Sequence, residues 1–214
     1  PTKHFVVLSP GLGEEVFKYR EDISKRLICH NIASIIVGGS FLGSRQIDHT
    51  SRFVFGDAST MMRLGITNII ELHSIVYWLR ENYDANICLF GRSMGGYVSQ
   101  YVACLCNHIN IGVVSQFPST SIIDLLSNCM KKYISENIYV SLIDILKDTS
   151  MHLLPVPKCL DACHLIAAIG DAYIPSSCGE RLHTLWRDSH LHFTWGGHVS
   201  GYYTHKDIVV SSIV

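Results

Sequence analysis

The chain has 214 residues, of which 48% are hydrophobic and 16% are charged, whereas about 25% of residues are charged in an average soluble protein. This composition excludes intrinsic disorder, which requires low hydrophobicity and high net charge. Seventeen basic and eighteen acidic residues give a net charge of -1, and no segment gathers Lys and Arg into a stripe, which argues against a nucleic-acid partner.

Short β-branched runs alternate with longer stretches of helical periodicity. This alternation predicts an α/β fold with a doubly wound, mostly parallel sheet covered by helices. In chain order, the predicted strands are 5–8, 34–37, 86–90, 111–114, 165–169 and 191–193, and the predicted helices are 16–27, 61–79, 94–106 and 178–186. A polar loop follows the second strand to about Asp57. Residues 119–158 indicate a helical and loop insertion, which we expect to act as a cap within a single domain spanning residues 1–214.

Residues 91–95 form a G-x-S-x-G motif, and Gly96 extends it. The motif follows a predicted buried strand and opens a predicted helix. A sharp strand-to-helix turn of this kind holds the serine in a strained conformation with its hydroxyl above the sheet, and the glycines let neighbouring backbone approach. The pattern therefore predicts that Ser93 is a catalytic nucleophile. An ordinary glycine-rich turn is the structural alternative.

A serine nucleophile needs a base, and the base needs an orienting group. Where the nucleophile lies in such a turn, the chain order is Ser, then Asp or Glu, then His. Asp171 follows the predicted strand 165–169, and His198 follows the last strand and a Gly-Gly pair, so we predict Asp171 as the acid and His198 as the base. Asp124, one strand earlier, is a rival acid. Histidines of the last strand and of the predicted terminal helix fit the order less well: His190, His192 and His205.

An acyl-transfer intermediate needs two backbone N–H groups to hold its oxyanion. We predict the N–H of Met94, which follows the nucleophile, and an N–H from the loop after the first strand. Leu12 is the expected donor in that loop, and Gly11 is the neighbouring alternative. Ligands of open α/β sheets bind outside the carboxyl ends of the strands, so apolar residues there are expected to line an acyl groove. These residues are Phe41, Leu42, Phe117 and the segment 122–126.

The eight cysteines are irregularly spaced, and the dense group of Cys159, Cys163 and His164 lacks a second pair to complete the four ligands of a zinc site. We therefore predict no metal and no cofactor. Unpaired cysteines favour a reducing, intracellular compartment. No apolar run approaches the ~20 residues that cross a bilayer, so we expect no transmembrane segment. The chain has no initiator Met and no signal-like segment, and we expect it to be an excerpt of a longer protein.

Four groups of segments resemble the α/β-hydrolase domain-containing 18 family. They are G-L-G-E at 11–14 with the aromatic and basic stretch 17–20; F-L-G-S-R at 41–45; S-M-G-G at 93–96; and D-A-Y-I-P at 171–175 with L-W at 185–186 and G-G-H-V-S at 196–200. Carried over by position, the resemblance names Ser93, Asp171 and His198 as a catalytic triad, in agreement with the argument from the residues.

The same resemblance implies an α/β-hydrolase fold and a lipid-acting serine hydrolase associated with mitochondria, with cardiolipin deacylation as its reaction and peripheral contact with a membrane. Two features of the family differ here. The family carries a further N-terminal region that is not present in this chain. It also has a long insertion before the acid segment, which this chain lacks or has reduced to 119–158.

The sequence therefore predicts a serine hydrolase that cleaves carboxylic esters, with a small-molecule or lipid acyl ester as substrate. Two alternatives stay open. One is a non-catalytic scaffold that serves as a binding module, which a missing triad residue would have favoured. The other is an acyltransferase that uses the same triad and passes the acyl group to an alcohol.

Overall fold

The computed structural model describes residues 3–46, 58–125, 127–128, 131 and 135–214. Six strands of this described part form one sheet in the order β2-β1-β3-β4-β5-β6, and every neighbouring pair is parallel. The strands are β1 Lys3–Ser9, β2 Ala33–Ile36, β3 Ala85–Arg92, β4 Ile111–Gln116, β5 Cys163–Ala168 and β6 His190–Thr194. The chain starts inside the sheet, adds β2 on one side and then returns to add β3 to β6 on the other, as a doubly wound fold does.

Helices connect the strands. They are α1 Lys18–Ile28, α2 Ala58–Asn82, α3 Met94–Leu105, α4 Ile122–Leu125, α5 Glu136–Leu146, α6 Ser176–Leu185, α7 Gly201–Thr204 and α8 Lys206–Ile213. Short 3-10 turns lie at Gly43–Arg45, Lys147–Thr149, Met151–Leu153 and Leu160–Ala162. Among the described residues, no helix is both long and apolar enough to cross a membrane.

Alternating side chains of the strands build a core on each face of the sheet, because successive residues of a strand point to opposite faces. On one face, Val7 and Leu89 pack with the apolar sides of α2 and α3. On the other, Leu8 and Phe90 pack with residues of α1 and α8. A third cluster joins α3 and α6 to β4 and β5 on the first of these faces. The predicted α/β, doubly wound architecture is confirmed, with helices on both faces.

The predicted strands are present, and the structure extends most of them. β1 and β3 reach further at both ends because their terminal residues pair in the ladder, Lys3 with Ala85 and Ser9 with Gly91. Sequence periodicity gives no signal for such polar strand ends. The predicted helix 61–79 begins earlier, at Ala58, and part of the predicted polar loop, residues 47–57, lies outside the described residues.

Three histidines lie side by side on one face at the amino ends of β5 and β6. His164 pairs with His190 across the ladder, and its Nδ1 lies 3.0 Å from Nε2 of His192. The His164 ring stacks on both neighbouring rings, with centroids 4.7 and 5.3 Å apart. Burial, together with the nearby His190 and His192, lowers the pKa of His164 from 6.5 to about 4. The folded chain therefore favours neutral His164.

This cluster predicts a loss of stability in mild acid. Between pH 6.5 and about 4, the unfolded chain binds a proton at His164 that the folded chain does not, so the free energy of unfolding should fall as the pH drops through this range. His164→Gln removes that titration and should flatten the fall, whereas His30→Gln, at an exposed position after α1, should leave it unchanged. Urea unfolding at a series of pH values measures the slopes. Equal slopes for the wild type and His164→Gln would contradict the assignment.

Candidate active site

Ser93 lies in the tight turn between β3 and α3, with φ 55° and ψ -121°. Residues other than glycine rarely adopt a positive φ, so this backbone is strained. The turn is crowded by neighbouring backbone: a Cβ on Gly95 would lie 2.6 Å from the Pro10 carbonyl oxygen and 2.8 Å from that of Ser9. Glycine at this position therefore lets the first turn of α3 pack directly on the end of β1. The predicted strand–turn–helix around Ser93 is present.

Asp171 and His198 meet in loops that follow β5 and β6. The His198 Nδ1 lies 2.7 Å from Oδ2 of Asp171. The other carboxylate oxygen, Oδ1, accepts hydrogen bonds from the backbone N–H groups of Tyr173 and Ile174, at 2.8 and 2.9 Å. The Asp171 side chain is fully buried, and that of His198 is 17% exposed. Since a carboxylate oxygen only accepts, Nδ1 carries the hydrogen, which leaves Nε2 of a neutral imidazole as an acceptor.

Residues 116 and 117 at the end of β4 connect the Ser93 turn to the His198 loop. The Ser93 backbone N–H donates to the carbonyl of Gln116 at 2.8 Å. The next residue, Phe117, packs its ring against the His198 imidazole, with centroids 4.5 Å apart. The Gln116 side chain donates through Nε2 to the Gly201 carbonyl at 3.2 Å. Ser93 and His198 therefore flank the same two residues at the carboxyl edge of the sheet.

The two predicted oxyanion donors lie on either side of the contact between β1 and α3. Met94 is the first residue of α3, where backbone N–H groups have no partner within the helix. Leu12 lies in the loop after β1. Neither N–H has a hydrogen-bond partner among the residues that the structure describes. The alternative donor is occupied, because the Gly11 N–H donates to the Glu14 carboxylate at 2.9 Å.

The rival acid, Asp124, takes part in a different set of contacts. Its Oδ2 accepts from the Thr120 backbone N–H and hydroxyl, both at 3.0 Å, and its Oδ1 pairs with the Arg181 guanidinium. These bonds cap the start of α4 and tie it to α6. Asp124 therefore has a structural role in place of the contact with His198.

The other candidate histidines also have partners elsewhere. His190 and His192 lie on β6, as the sequence indicates. His205 precedes α8 rather than lying inside a helix, and its Nε2 bonds to the Trp195 carbonyl at 2.7 Å. This bond links both ends of the loop that carries His198. Among the described residues, no group of three or more His, Cys, Asp or Glu side chains is placed to hold a metal ion.

The predicted groove residues differ in their surroundings. Phe117 is 1% exposed and lies beneath His198, so in this conformation its ring supports the imidazole and presents almost no surface to a ligand. Leu42 is also buried. Phe41 is partly exposed and has φ 60° at the end of the loop after β2. Of the segment 122–126, residue 126 lies outside the described residues.

Sequence reasoning missed the residues that support the site. The sequence pattern predicts Phe117 in the groove, whereas the structure gives it a positive φ of 60°, which bends the chain beneath the histidine loop. Glu14 and Arg20 stand out in the sequence only as parts of a family motif. Arg20 does carry a usable signal, because it lies on the apolar stripe of α1 beside Tyr19 and Ile23, where a charged residue needs a buried partner.

Comparison with known proteins gives a family and a fold. A family model described as Alpha/beta hydrolase domain containing 18 matches residues 1–122 and 110–214. TT1662 from Thermus thermophilus is 13% identical, with 100% of this chain and 88% of that chain covered at a TM-score of 0.68. No curated protein gives a significant match.

Two further solved structures share the fold. The Pyrococcus furiosus esterase Pf2001 is 16% identical, with 99% of this chain and 79% of that chain covered at a TM-score of 0.62. A lipase-esterase related protein from Clostridium acetobutylicum ATCC 824 is 16% identical, with 99% and 93% covered at a TM-score of 0.61. At these identities, the likeness establishes the fold.

Substitution of two glycines, one in the turn and one on α2, tests the crowding of the turn. Gly95→Ala should lower both the melting temperature and the catalytic rate, because its Cβ would push α3 away from the end of β1, and overpacking of this kind costs about 1–3 kcal/mol. Gly65→Ala, on α2 with open space around the new Cβ, should raise stability by roughly 0.5–1 kcal/mol. Thermal unfolding measures the stability of both variants, and a steady-state assay measures the rate. A Gly95→Ala variant as stable as the wild type would refute the close contact.

Proposed function

The chain belongs to the alpha/beta hydrolase domain containing 18 family, and from this membership we propose that it is a serine hydrolase that cleaves carboxylic esters. The strained backbone of Ser93 carries the proposal, because a non-glycine residue in such a conformation costs about 1–3 kcal/mol and residues strained in this way cluster at active sites. The hydrogen bond between His198 and Asp171 supports a base with a fixed orientation. Esterases among the structural neighbours support hydrolysis in general.

The reaction follows from the chemistry of these groups. The Ser93 hydroxyl attacks the ester carbonyl while His198 Nε2 takes its proton, and the same proton then passes to the leaving alcohol. Water, activated by the same imidazole, releases the acid from the acyl-enzyme. Asp171 holds the ring and stabilises the imidazolium. The N–H groups of Leu12 and Met94 hold the oxyanion, and the loss of one such donor typically costs roughly 100- to 1000-fold in kcat.

We further propose that the substrate is a lipid acyl ester and that the protein meets it at a lipid surface. Large apolar side chains around His198 are exposed: Trp195, Val199 and Tyr203 are 83%, 66% and 74% exposed. Such side chains on one rim favour contact with acyl chains or with a lipid interface. The family resemblance supports the same substrate class.

Residues 119–158 are proposed to cap this edge of the sheet within a single domain. The segment follows β4, and α5 within it exposes Ile138, Val140 and Ile145 while burying little of its own apolar surface. Tyr97 of α3 donates a hydrogen bond from its hydroxyl to the Thr149 carbonyl, which anchors the end of the segment beside the Ser93 turn. An apolar segment at this position is suited to cover an acyl chain.

Substitution of the triad residues tests the proposed reaction. Ser93→Ala keeps the Cβ and the backbone but removes the nucleophile, so the kcat for p-nitrophenyl ester hydrolysis should fall roughly 10⁴-fold or more with little change in melting temperature. Asp171→Asn should cost a similar factor because the imidazole loses its carboxylate acceptor.

Asp124→Asn is the matched control, since this carboxylate caps α4 and pairs with Arg181. It should lower the melting temperature and reduce kcat far less than Asp171→Asn does, because its carboxylate bonds to Thr120 and Arg181. Undiminished hydrolysis by purified Ser93→Ala would overturn the proposed nucleophile. Loss of kcat in Asp124→Asn, with Asp171→Asn fully active, would reverse the assignment of the acid.

Acyl-chain preference tests the substrate class. Each methylene buried in an apolar groove contributes at most about 0.8 kcal/mol, so kcat/KM should rise up to roughly fourfold per added methylene over the first few carbons. The measurement is kcat/KM for p-nitrophenyl esters from acetate to palmitate, in detergent below its micelle threshold. A profile that peaks at acetate and falls steadily with length would contradict the lipid substrate and indicate a small-ester hydrolase.

A further inference from the structure

A buried ion pair joins Glu14, in the loop between β1 and α1, to Arg20 on α1, and it has no part in the proposed reaction. Glu14 Oε1 accepts from Arg20 Nε at 2.8 Å, and its Oε2 accepts from the Gly11 N–H at 2.9 Å. The Glu14 backbone N–H donates to the Gly11 carbonyl at 3.3 Å. Both side chains are buried, with 7% of Glu14 and 1% of Arg20 exposed. Glu14 therefore binds both polar backbone groups of Gly11.

Arg20 connects this carboxylate to the sheet. Its Nη1 donates to the Leu8 carbonyl at 2.9 Å and also to the Val37 carbonyl. Leu8 lies near the carboxyl end of β1, and Val37 directly follows β2. The guanidinium thus spans two strand ends while its Nε holds Glu14. Through Arg20, Glu14 is therefore tied to the carboxyl end of β1, the strand that leads into the loop.

These bonds determine which N–H of the loop is available to a ligand. Residues 11–14 form a turn closed by the bond from Glu14 N–H to the Gly11 carbonyl, and Gly13 adopts φ 72° within it. Because the Gly11 N–H donates to the Glu14 carboxylate, it is not available to a ligand. The Leu12 N–H has no partner among the described residues, and Leu12 is two residues after Pro10, whose carbonyl packs against Gly95.

We propose that Glu14, held by Arg20, is a positioning residue that orients the Leu12 N–H as the second oxyanion donor. This inference rests on the proposed ester hydrolysis at Ser93. Loss of the carboxylate frees the Gly11 N–H and lets the turn rotate. The Leu12 N–H is then no longer held in the orientation that the oxyanion needs. Such a donor stabilises the transition state more than the bound ester, so kcat falls and KM changes little.

Four variants separate positioning from a purely structural ion pair. Glu14→Ala removes the acceptor at Gly11 and leaves Arg20 buried without its partner, which threatens folding. Glu14→Gln keeps one carbonyl oxygen that can accept from Gly11, but its amide nitrogen cannot accept from Arg20 Nε. The double variant Glu14→Met with Arg20→Met replaces the pair by apolar side chains, which buried sites tolerate, but it offers no acceptor. Asp22→Ala is the control, because it breaks an ion pair between α1 and Lys206 without contact to Gly11.

The experiment measures kcat and KM for p-nitrophenyl butyrate well below each melting temperature, together with amide hydrogen exchange of Gly11 by NMR. Glu14→Ala should lose about 10- to 100-fold in kcat, with KM within about twofold of the wild type. Its Gly11 amide should exchange faster. If Glu14→Ala does not fold, the double variant should show the same changes. Glu14→Gln, which keeps one acceptor for Gly11, should lose less kcat than Glu14→Ala. Asp22→Ala should match the wild type in kcat even if its melting temperature falls.

A folded Glu14→Ala or double variant with wild-type kcat would overturn the positioning role while ester hydrolysis by the wild type stands. If the double variant is as stable as the wild type but has a lower kcat, the ion pair positions the loop and does more than stabilise the fold. If the wild-type protein hydrolyses no ester, the proposed function is overturned, and so is the positioning role, which depends on it.

Discussion

Ser93 holds a positive φ between β3 and α3, and the close contact of Gly95 with the Ser9 and Pro10 carbonyls makes that turn possible. The contact has two consequences. It places Ser93 at the start of a helix, where free N–H groups and the helix dipole favour negative charge. It also sets the loop after β1 against the first turn of α3, so one tight approach of backbone brings the proposed nucleophile and the proposed oxyanion donors together.

The other proposed groups lie in loops at the same edge of the sheet as this turn, because all neighbouring strands are parallel. Loops after β1, β3, β4, β5 and β6 therefore open at one edge, and each contributes a different part. Asp171 is buried and bonded on both carboxylate oxygens, which fixes the imidazole of His198. The Phe117 ring packs against that imidazole. The Glu14–Arg20 pair resembles this arrangement in the β1 loop, because there too a buried carboxylate binds backbone N–H of its own loop.

Local patterns in the sequence predicted the features that local forces determine. Apolar runs gave the six strands, the glycine motif gave the strained turn, and chain order gave Asp171 and His198 as neighbours. The supporting contacts were not predictable in the same way. Phe117 lies beneath His198 through a bend that a non-glycine residue rarely makes, and Glu14 binds Gly11 because a distant strand end orients Arg20. Both depend on tertiary packing, which periodicity and spacing do not encode.

We propose that this edge of the sheet activates one serine. Treatment of the intact protein with a fluorophosphonate, followed by mass measurement and peptide mapping, tests it directly, because the Oγ of an activated serine displaces fluoride and forms a stable bond to phosphorus. We expect a single adduct per chain, on the peptide that contains Ser93, and far slower labelling when Asp171 is replaced by Asn. A folded protein that acquires no adduct, or acquires it on another residue, would contradict the account.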